Sequence, residues 1–342
     1  LGLDDDVPTP SDYACKGRLT HWLRQLADGG CSHVIVELSS EAIKAGALAG
    51  LRSDTVVVTS MSCPTITHRH DDLIAPARAS GEAVGTLTAD GCLIAGVSPR
   101  RLSQLRRRLP VGATSVTAGL ARTSDITATH VEAGLFGRMV LASCGGQIMP
   151  LTLDPPVVPF VRDCLLAAAV GARYGIPLDV AVRGLEAAGG VPGRLERLAR
   201  GQDAAVFLDM PSTGHALSAT LASLRRLTPG RLAVVADERL VARLGEDEFG
   251  PLVARHGDAC ILVPPTVLSD TAGEREFTAY ARIDRLLGSL GADDCMLVLG
   301  DSRDGVHPAE ASPLGRFPLA ELVDGWLQIA HGLPPIPARN AA

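Results

Sequence analysis

The sequence predicts an α/β fold, with a mostly parallel sheet in the first half and a smaller, doubly wound α/β domain in the second. Three observations carry this. Short apolar runs at 33–38, 55–59, 204–209, 232–236, 259–263 and 295–299 are bounded by turn residues and read as buried parallel strands. Helical periodicity fills the intervals, giving the βαβ alternation of a parallel sheet. Gly and Pro cluster at Val191-Pro192-Gly193, and the alternation restarts beyond them, so the predicted domains are 1–190 and 191–342.

Within the first domain, Ser11 is placed to cap a helix carrying Leu19, Trp22, Leu23 and Leu26, which Gly29-Gly30 ends. Strand 33–38 leads into a helix running to about Leu51, then strand 55–59 and an irregular stretch that enters a helix at Asp71-Asp72. Between Val84 and Leu153, short strands (92–95, 113–117, 137–143, 147–153) surround one helix near 98–108, reading as the far side of the sheet plus a small β-rich extension. Helices follow at 157–174, with Pro159 in the first turn, and at 178–188. The second domain adds helices near 214–227, 276–289 and 318–331.

Composition bounds the function. The 342 residues are 46% hydrophobic and 20% charged with a formal net charge of -6, an ordinary globular composition of about two domains. Mild acidity argues against nucleic acid or an anionic membrane surface as partner, and 3% aromatics supply no stacking platform. The arginines Arg100, Arg101, Arg106, Arg107 and Arg108 fall at helical spacing and read as a solvated face. Eight cysteines contain no Cys-x-x-Cys pair and several sit in apolar patterns, which predicts free thiols and a reducing, cytoplasmic compartment. No apolar stretch reaches transmembrane length and no signal-peptide pattern opens the sequence. Leu1 to Pro10 reads as a loop with no strand before it, which predicts a further piece upstream.

The predicted centre of the site is Ser32 to Glu41. An apolar run ends in Glu37, and Ser39 and Ser40 follow on the way into a helix. Ligands of open α/β sheets gather at the carboxyl ends of strands. A carboxylate with two hydroxyls there suits a metal ion and an anionic substrate, although either serine equally reads as a helix cap.

Four segments then point to a family: Pro8-Thr9-Pro10, Glu37-Leu38-Ser39-Ser40, Gly190-Val191-Pro192-Gly193-Arg194-Leu195-Glu196 and Asp209-Met210-Pro211-Ser212-Thr213. In order and spacing they resemble the Mur ligases, and within them the UDP-N-acetylmuramoyl-tripeptide synthetases (MurE). The resemblance covers nearly the whole chain and is most specific at the two segments around the domain junction. It implies a Mur-ligase-like central domain without its P-loop part and a Rossmann-like C-terminal domain. The implied activity is ATP-dependent addition of an amino acid to a UDP-MurNAc-peptide in peptidoglycan synthesis, with ATP and Mg2+ as cofactors. Carried over by position, Glu37 matches a magnesium ligand, and Thr9, Ser39 and Ser40 fall in segments that bind UDP-MurNAc. Arg194, Asp209 and Thr213 match groups that reach the nucleotide.

The departures from the family are systematic. No G-x-x-x-x-G-K-[ST] occurs, so the sequence holds no P-loop cradle. The only lysines are Lys16 and Lys44. The helix in which the family carries a carbamylated lysine reads Ala75-Pro76-Ala77-Arg78-Ala79, and a permanently charged guanidinium cannot form a carbamate. A family histidine is Thr65, the asparagines expected near Phe160 are Val161 and Cys164, and the histidine of the family's DYAH segment is Ser212. In the second domain Asp237-Glu238-Arg239, Pro264-Pro265-Thr266-Val267 and Gly300-Asp301-Ser302-Arg303-Asp304 stand where the family has its GGDRD, DNPR and GKGHE loops. Losses on this scale predict an impaired, degenerate ligase that binds before it catalyses.

Two other classes compete. His68-x-His70-Asp71-Asp72 at a strand's carboxyl end can seat zinc, which suggests a metal-dependent hydrolase using His68, His70 and Asp72, but no third histidine has recognisable ligand spacing. A non-catalytic binding partner is the remaining class.

Overall fold

The computed structural model describes residues 18–61, 70–264, 274–300 and 318–330. The chain runs α1 (Arg18–Asp28), α2 (Ser40–Lys44), β1 (Ser53–Val58), α3 (His70–Val84), β2 (Leu87–Ala95), α4 (Pro99–Arg106) and β3 (Thr114–Thr117). Strands β1, β2 and β3 form a parallel sheet in that order. Its faces divide by side-chain alternation: Leu93 and Ala95 pack with Val58, Val84, Leu102 and Leu105, while Cys92 and Ile94 face the opposite core. A buried parallel sheet needs both faces covered, which is why these strands read as unbroken apolar runs.

Next come β4 (Ile126–Gly134), β5 (Gly137–Cys144) and β6 (Gln147–Leu153), an antiparallel meander. Val140, Ala142, Leu151 and Leu153 pack on Val161, Cys164 and Leu165 of α5 (Val158–Arg173) and on Leu178 and Val182 of α6 (Leu178–Ala188). This is the β-rich extension expected from the sequence, with β4 added.

Beyond Gly189, at φ +64, lie β7 (Arg194–Leu198), β8 (Ala205–Asp209), α7 (Gly214–Leu227), β9 (Leu232–Asp237), α8 (Glu238–Leu244), α9 (Glu246–His256), β10 (Ala259–Val263), α10 (Glu274–Leu287), β11 (Cys295–Leu299) and α11 (Pro318–Ala330). The sheet order is β10-β9-β11-β8-β7, parallel except for the antiparallel edge β7. Phe207, Val234 and Leu297 face Leu217, Leu221 and Phe249, whereas Val206, Leu208, Val235 and Met296 face Ile283, Leu319 and Val323. Helices on both faces make this the doubly wound unit the sequence predicts. Leu135 and Val157, from the first half, join the core formed by α7 and β8, so the halves share buried surface. No helix among the described residues is long and apolar enough to cross a membrane.

One expected strand is not there. Residues 31–39 carry no regular secondary structure, and the run 33–38 pairs with no strand among the described residues. Val36 and Leu38 pack against Leu19, Trp22 and Leu23, but Ile35 is 93% exposed. An apolar run becomes a strand only where a neighbour accepts its backbone hydrogen bonds, and composition does not reveal that neighbour. The helix expected to reach Leu51 also stops early, at Lys44, because the backbone turns at Gly46, where φ is +93.

Candidate functional site

The two most specific sequence segments meet at the end of β8. Gly193 adopts φ +65 and bends the chain into β7, and Leu195 follows with φ +47 at a register shift between Arg194 and Glu196. Glu196 Oε2 accepts the Gly193 N–H at 2.9 Å and closes the turn. Met210 packs so tightly over Gly193 that a Cβ there would collide with its methyl group. The backbone angle favours glycine here, and a side chain would also make the flexible end of Met210 move.

Asp209 ends β8 and is 6% exposed. Its Oδ1 accepts the N–H groups of Leu195 at 3.3 Å and Met210 at 3.0 Å, and its Oδ2 accepts the Thr220 hydroxyl at 3.0 Å. Burial pushes its pKa above the ordinary carboxylate value; the Thr220 hydroxyl, the Arg194 charge and the two N–H groups oppose that rise. Arg194 is paired with Asp209 in the β7–β8 register and donates through Nη1 to the Met210 carbonyl. Thr213 caps α7, its hydroxyl accepting the Ala216 N–H at 3.1 Å. Arg194 and Asp209 thus meet, Thr213 lies on the loop that follows, and each is bonded to the protein itself.

Two groups that sequence reading missed complete this edge. Arg243 of α8 donates to the carbonyls of Pro211 and Ser212, both at 3.0 Å, tying down the loop before α7. Glu248 of α9 lies against Gly214 at the start of α7, where a Cβ would strike its carboxylate, and its Oε1 is buried without a hydrogen-bond partner. A carboxylate beside a helix N-terminus is favourable. No local sequence signal announces either contact, since both depend on how α8 and α9 pack.

The other predicted residues lie elsewhere. Glu37 is exposed on the unpaired stretch. Ser39 Oγ accepts the Ala42 N–H at 3.1 Å and acts as the cap of α2. Ser40 opens α2, but its side chain lies outside the described residues. Thr9, His68 and Thr65 lie outside them altogether, as do the side chains of His70 and Asp72 at the start of α3. Among the described residues no group of three or more His, Cys, Asp or Glu side chains is placed to hold a metal ion.

Positions that depart from the family are likewise committed to structure. Arg78 is exposed and pairs with Glu82 at 2.9 Å, one helical turn on. Val161 and Cys164 are buried in the core between α5 and the meander, and burial drives the Cys164 thiol up to about 12. Asp237 caps α8 by accepting the Arg239 N–H at 2.8 Å. Among the described residues Glu37 belongs to no group of three or more side chains that could hold a metal ion, and Glu248 lies against the start of α7.

Comparisons with known proteins agree on the lineage. No family model matches the chain. Its sequence is 26% identical to the UDP-N-acetylmuramoyl-L-alanyl-D-glutamate--2,6-diaminopimelate ligase of Chlorobaculum tepidum, over 87% of this chain and 64% of that protein. It is 28% identical to the enzyme of the same name from Geobacter sulfurreducens, over 67% of this chain and 46% of the relative. It is also 28% identical to the UDP-N-acetylmuramyl-tripeptide synthetase of Leifsonia xyli subsp. xyli, over 70% and 48%. The chain thus spans about half to two thirds of the length of these relatives. The fold matches a solved UDP-N-acetylmuramoyl-L-alanyl-D-glutamate--2,6-diaminopimelate ligase with TM-score 0.63 at 16% identity, over 92% of this chain and 68% of that one. It also matches MurF of Thermotoga maritima, solved in complex with ADP, with TM-score 0.57 at 12% identity, over 85% and 65%. The likeness runs along most of the sequence and the fold is shared over most of the chain, so the chain is similar to the MurE-type members of the Mur ligases.

Proposed function

We propose that this chain forms the central (1–190) and C-terminal (191–342) parts of a ligation-impaired Mur ligase relative that acts in peptidoglycan synthesis by binding UDP-MurNAc-peptide. The observation that carries the reading is the state of the β8 edge. Asp209 gives both oxygens to the protein, the Thr213 hydroxyl is used as a cap, and Glu248 fills the start of α7. The named activity of the relatives is ligation, and the Thermotoga maritima structure holds ADP; bringing ATP and Mg2+ to this chain would require these groups to let go of their present partners. Arg78, where the family uses a carbamylated lysine, supports the same reading. The proposed compartment is the cytoplasm, in keeping with the unpaired Cys31, Cys92, Cys144, Cys164, Cys260 and Cys295.

The test uses the product of the complete gene. ATP-dependent ligation on UDP-MurNAc-dipeptide is expected at less than about a thousandth of the rate of an ordinary family member, the scale of losing a charge-stabilising group. Titration calorimetry with UDP-MurNAc-dipeptide is expected to show saturable binding. Ordinary turnover overturns the impairment, and absence of binding overturns the role in substrate capture.

A further inference from the structure

Arg138 of β5 is 9% exposed, yet no carboxylate pairs with it among the described residues. Its Nε donates to the Pro156 carbonyl at 2.5 Å, and its Nη1 donates to Nδ1 of His130 at 3.1 Å. Both acceptors are neutral, and a guanidinium has five N–H donors to place. Nη2 has no hydrogen-bond partner among the described residues and is not one of the side-chain atoms sealed from solvent, so it reaches the surface. Burying a cation is costly, and such a charge is ordinarily paired. The neighbouring acids are turned away or already committed. Glu132 pairs with Met139 while Arg138 pairs with Ala133, so the pleat puts Glu132 on the opposite face of the meander. Asp154 binds Arg197 at 2.7 Å, and Asp258 binds Arg225 at 2.6 Å.

A second guanidinium approaches from the other half. Val157, next to the Pro156 carbonyl that Arg138 binds, shares a core with Leu217, Leu221 and Leu224 of α7. Arg226 lies in the last turn of that helix, exposed and without an ion pair among the described residues. Burial, and then the Arg226 charge, push the Arg138 pKa below its ordinary value, so the two cations act on each other across the seam. Burial, and then the Arg138 charge, lower His130 in turn, which keeps its Nδ1 free to accept from Arg138. The same positive field extends to α9, where burial, Arg255 and Arg226 lower His256. A cation in the last turn suits the dipole of α7, which accounts for Arg226 but not for Arg138. Like charges brought together, one of them out of water, favour an anion between them.

We propose that Arg138 and Arg226 form an anion site at the seam between the two halves, taking a phosphate-type dianion, free or at the end of a phosphomonoester, on Arg138 Nη2 and the Arg226 guanidinium. Two guanidiniums without a carboxylate match a double negative charge, and their planar N–H forks match phosphate oxygens. With one arginine on β5 and the other on α7, the bound anion ties the halves together. The site shares no residue with the β8 edge and stands whether or not ligation is retained.

The experiment titrates the full chain with inorganic phosphate by calorimetry, in chloride buffer of fixed ionic strength at mildly alkaline pH, and one saturable site is expected. Phenyl phosphate is expected to bind as tightly, since only phosphate oxygens meet the donors, and acetate about tenfold more weakly or worse. Arg226→Gln is expected to weaken phosphate about tenfold, and Arg138→Gln to abolish binding. Arg100→Gln removes an exposed arginine of α4 and is expected to change nothing. Arg226 is exposed, so its variant decides the case even where Arg138→Gln fails to fold. No saturable binding, equal affinity for acetate, indifference to Arg226→Gln, or an equal loss with Arg100→Gln each overturns the proposal. Binding of phosphate without phenyl phosphate overturns the phosphomonoester as ligand.

Discussion

Asp209 holds Leu195 in a left-handed backbone conformation: its Oδ1 accepts the Leu195 N–H at 3.3 Å while Leu195 sits at φ +47. A bulky residue rarely adopts that angle, and the strain is of order 1–3 kcal/mol unless surrounding contacts hold it. The two motif segments are therefore mechanically coupled, whatever either once did for a nucleotide.

Removing that clamp should be costly. Asp209→Ala strips acceptors from the Leu195 and Met210 N–H groups and the Thr220 hydroxyl, and the expected loss is about 2–4 kcal/mol in urea unfolding. Thr220→Val removes one donor only and should cost about 1 kcal/mol.

Gly193→Ala meets both the positive φ and the Met210 side chain, and about 1–3 kcal/mol of destabilisation is expected. Met210→Ala in the same chain should recover only the steric part. A double-mutant cycle reads the split, and full recovery would show that the backbone angle carries no strain.

Arg200 of the β7–β8 connection makes a two-pronged ion pair with Asp324 of α11, at 2.6 and 2.8 Å, with the Asp324 side chain only 4% exposed. Asp324→Ala strands a guanidinium and should cost about 3–5 kcal/mol. Protease cleavage between α11 and the preceding sheet should rise in step.

Asp294 accepts the Arg231 Nη2 donor at 2.8 Å and the N–H groups of Arg231 at 2.7 Å and Gly291 at 3.0 Å. The Arg231 side-chain hydrogen bond, followed by these N–H groups, holds its pKa well below the usual carboxylate value. A depressed folded-state pKa means the unfolded chain binds more protons on the acid side. The stabilisation is complete above the unfolded value of about 3.9 and is lost as pH falls toward the folded one. Asp294→Asn should flatten the acid limb of the stability profile by up to one proton and leave its slope at neutral pH unchanged.

The sequence was most legible where burial is two-sided. Strands such as 204–209 and 295–299 announce themselves because Phe207 and Val206 point into different cores and both must be apolar. Edge and solvated elements did not: β7 interleaves Arg194, Glu196 and Arg197, β4 carries Thr129, His130 and Glu132, and α9 holds an acidic first turn and Pro251. At the candidate site, the motif spacing singles out Arg194 and Asp209 but does not show that they meet each other. The partners that occupy them were not legible either, because Thr220, Arg243 and Glu248 arrive from other elements.

The exposed Ile35 has a consequence for the molecule in solution. It lies on an unpaired extended stretch whose His33 ring meets Tyr174 edge-on at 5.2 Å, and Tyr174 in turn bonds Thr55 of β1 at 3.1 Å. That stretch therefore runs close to β1, whose outer edge pairs with no strand among the described residues and whose Val57 is 39% exposed. A parallel edge that no described strand covers, beside the exposed Ile35, is a template for another chain's backbone, so this chain on its own should self-associate as its concentration rises. Ile35→Lys should shift its sedimentation toward the monomer, since a lysine beside such an edge repels a second copy.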